Sequence, residues 1–169
     1  MLFQIGEKVV YPNYGVGTIE SISIRSFGAR TERFYLLRLN SGGTTVLVPF
    51  SHVEEVGLRK VTRNGEIGKV LSFLAEGVCR SNGDWKNRYK ENCEKMRAGG
   101  LLQVAEVLKS LLVLQLSKPL SFREKKMLDR ARQLLVAELA ISRAITEEEA
   151  AEMLQKALAK ASLKLPAPL

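Results

Sequence analysis

The spacing of apolar residues changes once along this chain, near residues 57–64. Ahead of that point apolar residues fall in short runs bounded by glycine or proline, the pattern of β-strands. Lys8-Val9-Val10-Tyr11 lies between Gly6 and Pro12. Gly15-Val16-Gly17 leads into Thr18 to Ile24, where Ile19, Ile22 and Ile24 alternate only in part. Arg33 to Asn40 is aromatic and apolar, and Ser41-Gly42-Gly43 turns it into a return strand, Thr44 to Pro49, because glycine tolerates positive φ. Pro49 has no N–H to give a sheet ladder, so it marks a strand end or an edge. Four or five short strands joined by glycine turns predict a compact, barrel-like sheet.

Past Val56-Gly57-Leu58-Arg59-Lys60 the period becomes helical. Asn64-Gly65-Glu66 opens a helix through Ile67, Val70, Leu71 and Leu74. Gly77 to Gly83 reads as a connection containing Ser81, Asn82 and Gly83, and Asp84 as the N-cap of a helix that begins at Trp85 and stops at Gly99-Gly100. Leu101, Val104, Ala105, Leu108, Leu111 and Leu112 form one apolar stripe, interrupted at Lys118-Pro119. Ser121-Phe122-Arg123-Glu124 and Thr146-Glu147-Glu148-Glu149 are capping boxes, each opening a further helix. The first of these runs through Met127, Leu128, Ala131, Leu134, Leu135 and Leu139. The pattern predicts an α+β chain: a β domain over 1–58, an all-α bundle of about five helices over 64–162, and a flexible tail over 163–169, with Pro166 and Pro168.

Charge distinguishes the two halves. The net charge is +8, of which residues 1–66 supply +2 and residues 67–169 supply +6. The helical part is the better candidate for a polyanion surface, although a solubilising charge would look the same. Leu101 to Leu116 is too short and too polar to span a bilayer, and the N-terminus lacks a signal peptide's pattern, so a cytoplasmic protein without membrane contact is expected. Cys79, Cys93 and the single His52 make no zinc spacing and no disulfide framework, so no metal or cofactor is expected. His52 has no nucleophile at a recognisable spacing, and Gly15-Val16-Gly17 lacks the third glycine of a dinucleotide loop, so no enzymatic activity is expected.

The informative chemistry is Trp85-Lys86-Asn87-Arg88-Tyr89-Lys90, which holds the only tryptophan. On a helix, Trp85, Arg88 and Tyr89 share a face, with Lys86 and Lys90 beside it. A large apolar ring among cations suits a wedge against a base step while the cations hold phosphates. It equally suits a helix tucking its tryptophan into a core. Arg123, Lys126 and Arg130 form a second cationic row, with Lys125 and Arg132 beside it, and Lys95 and Arg97 extend the first. Such rows are often no more than solvated helix faces.

Gly6-Glu7-Lys8-Val9-Val10-Tyr11-Pro12-Asn13-Tyr14-Gly15-Val16-Gly17 resembles the opening of the CarD-like bacterial transcription regulators. Val48-Pro49, Val56 to Arg59, Trp85 to Tyr89, Ala105 to Leu108 and Glu124 to Arg132 continue the likeness in order over nearly the whole chain. The opening motif also resembles the polymerase-binding module of transcription–repair coupling factors, but an ATPase motor follows there rather than a helical domain. The resemblance implies a Tudor-like or SH3-like β domain that binds the β subunit of RNA polymerase, with Arg25, Thr45, Val46, Leu47 and Pro49 as candidate contacts. It implies a helical domain on promoter DNA, with little sequence specificity, through Trp85, Lys86, Arg88, Lys90, Lys125, Lys126 and Arg130. In the family the tryptophan at the Trp85 position enters the minor groove at the upstream edge of the transcription bubble and keeps the promoter open. Two positions depart from the pattern: Leu47 stands where some relatives carry arginine, so a contact there has to be apolar or main-chain, and Asn87 replaces an arginine common beside the tryptophan. A monomer suits one-to-one binding to polymerase. The competing expectation is a protein-interaction adaptor whose basic helices dock an acidic partner without touching DNA.

Overall fold

The computed structural model describes residues 3–12, 14–40, 42–79 and 85–168, the side chain of Trp85 excepted. The chain divides into two compact units, Met1–Val61 and Thr62–Leu169.

The first unit is a five-stranded antiparallel sheet in the order β4-β3-β2-β1-β5. Its strands are β1 (Lys8–Tyr11), β2 (Gly15–Phe27), β3 (Arg30–Leu39), β4 (Thr45–Pro49) and the two-residue β5 (Arg59–Lys60). A 3-10 turn (Phe50–His52) and the short helix α1 (Val53–Val56) join β4 to β5. Two glycines shape β2, one at its corner with β1 and one where it lies against β3. Gly15 sits at φ 104, in the region that L side chains avoid, and a Cβ on Gly17 would come within 2.7 Å of the Arg38 carbonyl oxygen. The core of this Tudor-like domain gathers Val9, Tyr11, Ile19, Tyr35, Leu37, Leu39, Val48 and Leu58. Phe50 stacks on Tyr35 with centroids 4.1 Å apart, and the Tyr35 hydroxyl accepts from the Phe3 N–H at 3.0 Å.

The strands β2 and β3 run past the ends expected at Ile24 and Arg33, out to the pair Phe27↔Arg30. A two-stranded arm has little apolar surface to bury, so its sequence carries no strong period there. A bulge between Ile19 and Ser21 accounts for the partial alternation of the isoleucines. The extra residue returns Ile22 opposite Tyr35, on the face already occupied by Ile19 opposite Leu37. Ser41 of the expected glycine turn lies outside the described residues.

The second unit packs five helices: α2 (Asn64–Glu76), α3 (Trp85–Ala98), α4 (Leu101–Ser117), α5 (Phe122–Arg143) and α6 (Glu147–Ala159). Buried Ile67, Val70 and Leu74 of α2 meet the α4 stripe, including Val104, Leu108 and Leu111, while Leu134, Leu135 and Leu139 come from α5 and Leu154 and Leu158 from α6. Both capping boxes form as their spacing predicts: Glu124 N donates to Ser121 Oγ at 3.2 Å and Glu149 N to Thr146 Oγ1 at 3.1 Å. The connection Ser81-Asn82-Gly83 and the N-cap Asp84 lie outside the described residues. The first residues of the expected tail are held against α6. Leu163 is buried, Gln155 donates to the Leu163 carbonyl at 3.3 Å, and Leu165 N donates back to Gln155 at 3.1 Å.

Buried Glu138 serves the start of this unit. One of its carboxylate oxygens accepts from the Thr62 N–H at 3.1 Å and from the Thr62 hydroxyl at 2.8 Å, and Ser142 donates to the Thr62 carbonyl at 2.8 Å. Buried Lys109 caps the end of α2 by donating to the carbonyls of Phe73 and Gly77 at 2.9 and 2.6 Å. These buried charges are therefore satisfied within the fold.

Candidate functional site

The candidate residues of the β unit lie on and beside its free edge. Strand β4 ends the strand order and pairs only with β3, so its second edge offers main-chain donors and acceptors that no described strand uses. Directly paired residues of an antiparallel ladder project from the same face. Val46 lies opposite Leu37 and packs against the core. Its side chain is partly buried there, so what it offers along the free edge is chiefly its main chain. Leu47 lies opposite Leu36 on the other face, and Pro49 opposite Phe34. The rows Arg25↔Glu32 and Phe27↔Arg30 continue that face along the arm. Arg25, Leu47 and Pro49 therefore share one outer face with Phe27, Phe34 and Leu36. Leu47 and Phe27 are 38% and 59% exposed, and Phe27 packs edge-on against Phe34 at 6.2 Å. The three added apolar residues are not legible in the sequence: the facing of Phe27 depends on the bulge in β2, and that of Phe34 and Leu36 on the register with β4.

The helical candidates converge on two helix starts. The Arg88 guanidinium of α3 donates to the Glu124 carboxylate of α5 at 3.2 Å, and both side chains are nearly inaccessible, at 9% and 4%. Next to this pair, Arg123 of α5 sits over the Tyr89 ring of α3, 6.0 Å from its centroid. The first turns of α3 and α5 are thus neighbours, and the two basic rows that are separate in the sequence belong to one region. Arg88, expected on phosphate, has its charge turned inward to Glu124 and braces the two helices. Its Nε is buried with no hydrogen-bond partner among the described residues.

Glu124 holds several bonds at once. It accepts from the Ser121 N–H and hydroxyl at 3.2 and 3.1 Å as well as from Arg88. Burial pushes its carboxyl pKa up, but the Ser121 bonds and the Arg88 charge outweigh that and hold it below the ordinary carboxylate value. The acid at the start of α5 is thereby stabilised as an anion inside the fold. Its charge is answered by Arg88, so it does not pair with Lys90, Lys125 or Lys126.

The remaining cations sort by their partners. Lys95 pairs with Glu106 at 3.1 Å, Arg97 with Glu94, and Arg132 with Asp129, so these three are engaged internally. Lys90, Lys125 and Lys126 are exposed and Arg130 half-exposed, and none of the four makes an ion pair with a described acid. Lys86 and Asn87 are also exposed. Lys126 lies over the Phe122 ring, 4.7 Å from its centroid, and Phe122 is 67% exposed. Nothing in the sequence marks Phe122 as a site residue, because directly after Ser121 it reads only as the first position of a capped helix. Helix α3 begins at Trp85, whose side chain is outside the described set.

Elsewhere the chemistry is sparse. His52 lies 3.8 Å from Glu55 at the surface, and among the described residues no three His, Cys, Asp or Glu cluster as metal ligands would. Burial raises the Cys79 thiol pKa, which favours the unreactive protonated form. No helix of the described residues is long and apolar enough to cross a membrane.

Comparison with known proteins covers both units. Residues 3–62 match the family model of the CarD-like/TRCF RID domain, and residues 69–155 match that of the CarD C-terminal domain. Over 148 residues the chain is 34% identical to a Bacillus subtilis (strain 168) protein named "Putative transcription factor YdeB", covering 88% of this chain and 97% of that protein.

Proposed function

The chain belongs to the CarD-like family, a family of transcription factors rather than enzymes, and we propose that it acts by bridging RNA polymerase to promoter DNA. The β unit binds the polymerase β subunit by adding the free edge of β4 to a strand of that subunit, so that main-chain pairing supplies affinity. Leu47, Leu36 and Phe27 then give this contact an apolar outer face, and Arg25 a charge at its side. That composition answers the replacement of the family's arginine by Leu47.

The helical unit lies on DNA just upstream of the bubble. Lys86, Lys90, Lys125, Lys126 and Arg130 hold phosphates, and Trp85 wedges into the minor groove at the bubble edge. The observation that carries this reading is the joining of the α3 and α5 starts by Arg88 and Glu124, which gathers exposed cations from both helices around the helix that Trp85 opens. Binding the open promoter better than the closed one is enough. A preference of about 1.4 kcal/mol shifts that equilibrium roughly tenfold. Tethering through the β unit supplies local concentration, so the free protein binds DNA weakly.

The test is Trp85→Ala, assayed with polymerase on a linear promoter. Polymerase association and the fold persist while the open complex decays faster. An unchanged lifetime with an intact fold would remove the wedge. Footprinting separates the adaptor reading: protection of DNA at the bubble edge, seen only with polymerase present, is expected, and its absence favours docking on an acidic protein.

A further inference from the structure

Phe122 is the one exposed aromatic side chain among the described residues of the helical unit, since Phe73 and Tyr89 are half-buried. A single exposed apolar residue is ordinary on any surface. What distinguishes this one is its surroundings. It opens α5, a helix of 22 residues, directly after the Ser121 cap. Arg123, Lys125 and Lys126 follow it, all exposed. Lys126 lies against its ring at 4.7 Å. The acid within that turn, Glu124, is buried and bonded to Ser121 and Arg88, so it does not neutralise the lysines outside. Through Arg88–Glu124 and Arg123–Tyr89 this turn is fixed beside the first turn of α3.

An exposed ring among cations that no described acid neutralises is complementary to a nucleic acid, which offers phosphates next to flat apolar bases and sugars. We propose that Phe122 is a second DNA-contacting aromatic, packing on a base or sugar of the promoter beside the position taken by Trp85 while Lys126 holds the adjoining phosphate. The inference rests on the bridging function above and extends it from one aromatic contact to two. Two rings on neighbouring, mutually braced helix starts would resist re-annealing better than one, because a strand must leave both to close. Arg88 and Glu124 are then positioning residues for the pair.

The experiment compares the full-length protein with Phe122→Ala, Phe122→Tyr, Trp85→Ala and Phe122→Ala combined with Trp85→Ala. Each is assayed with RNA polymerase and a linear promoter for open-complex lifetime, polymerase pull-down and thermal midpoint. Phe122→Ala is expected to shorten the lifetime by about fivefold or more, in line with base–aromatic stacking. Pull-down and thermal midpoint stay unchanged, Phe122→Tyr keeps most of the lifetime, and the double variant is shorter-lived than either single one. A normal lifetime for Phe122→Ala beside a shortened one for Trp85→Ala overturns the second contact alone. Normal lifetimes for both overturn the bridging function beneath it. A fall in thermal midpoint that accounts for the shortened lifetime makes Phe122 a structural residue and also overturns the proposal.

Discussion

The two units meet their proposed partners with opposite kinds of surface. The β unit offers main-chain groups along β4 and an outer face bearing Leu47, Leu36 and Phe27. The helical unit offers long cationic side chains on two helix starts, held in place by an ion pair that is itself hidden. An edge strand recognises protein through directional pairing and apolar contact, which salt barely affects. Lysines recognise DNA through displaced counterions, which salt governs strongly. Under the proposed bridging function, one chain can therefore keep its hold on polymerase while its grip on DNA stays adjustable.

The sharpest way to break this comparison lies in two adjacent residues of β4. Leu47→Glu places a charge on the outer face, where no core depends on it. Polymerase pull-down should weaken by about 100-fold, comparable to truncation of a hot-spot residue, with unchanged circular dichroism. Val46→Glu puts the same charge against Leu37 and should unfold the β unit instead. If Leu47→Glu still binds normally, the interface is elsewhere on the sheet.

A second contrast separates Arg88 from its neighbours. Replacing Arg88 by Met strands the buried Glu124 carboxylate and should destabilise the helical unit by about 3–5 kcal/mol. Lys90→Ala or Lys126→Ala should change stability by less than about 0.5 kcal/mol. Urea titration of each variant decides it. A stable Arg88→Met protein with weakened DNA protection would return Arg88 to the phosphate contacts.

That contrast also marks what the chain could reveal by itself. The boxes Ser121/Glu124 and Thr146/Glu149 were legible because a cap and its partner are three residues apart, and the change of period near residue 60 was legible because it is local. The edge at β4 was foreshadowed by Pro49. The pairing of Arg88 with Glu124 spans 36 positions, and nothing in the basic segment from Trp85 to Lys90 says which cation turns inward. Likewise Thr45-Val46-Leu47-Val48 is an apolar run without alternation, so the inward Val46 and outward Leu47 had to come from register. Period and charge left the role of Trp85 open between wedge and core, and only the resemblance favours the wedge.

Salt sharpens the comparison further. Polymerase-dependent protection of promoter DNA should fall steeply with salt, while pull-down through β4 should hardly change. Lys90→Ala together with Lys126→Ala should reduce the slope of log affinity against log salt by about two, one for each phosphate that is no longer neutralised. A slope equal to that of the wild type would place both lysines away from the backbone. If pull-down instead followed the same steep slope, the β unit would be acting through charge, and Arg25 rather than β4 would be its principal contact.

The smallest expected effect concerns acid. The Glu124 carboxyl pKa is lowered in the folded protein, from a reference value of 4.5, because the Ser121 and Arg88 bonds outweigh its burial. The anion is therefore favoured by folding. Its contribution is complete above the unfolded pKa and is lost as pH falls through the folded one. Helical-unit stability should accordingly decline below about pH 4.5, beyond what the surface carboxylates contribute. Glu124→Gln keeps the shape but cannot ionise. It should start less stable at neutral pH and lose less on acidification, so the two denaturation curves converge at low pH. Parallel curves from about pH 6 to about pH 3 would mean that Glu124 is not held as a stabilised anion. The hidden pair would then be a matter of packing, and the exposed lysines around it would owe nothing to its charge.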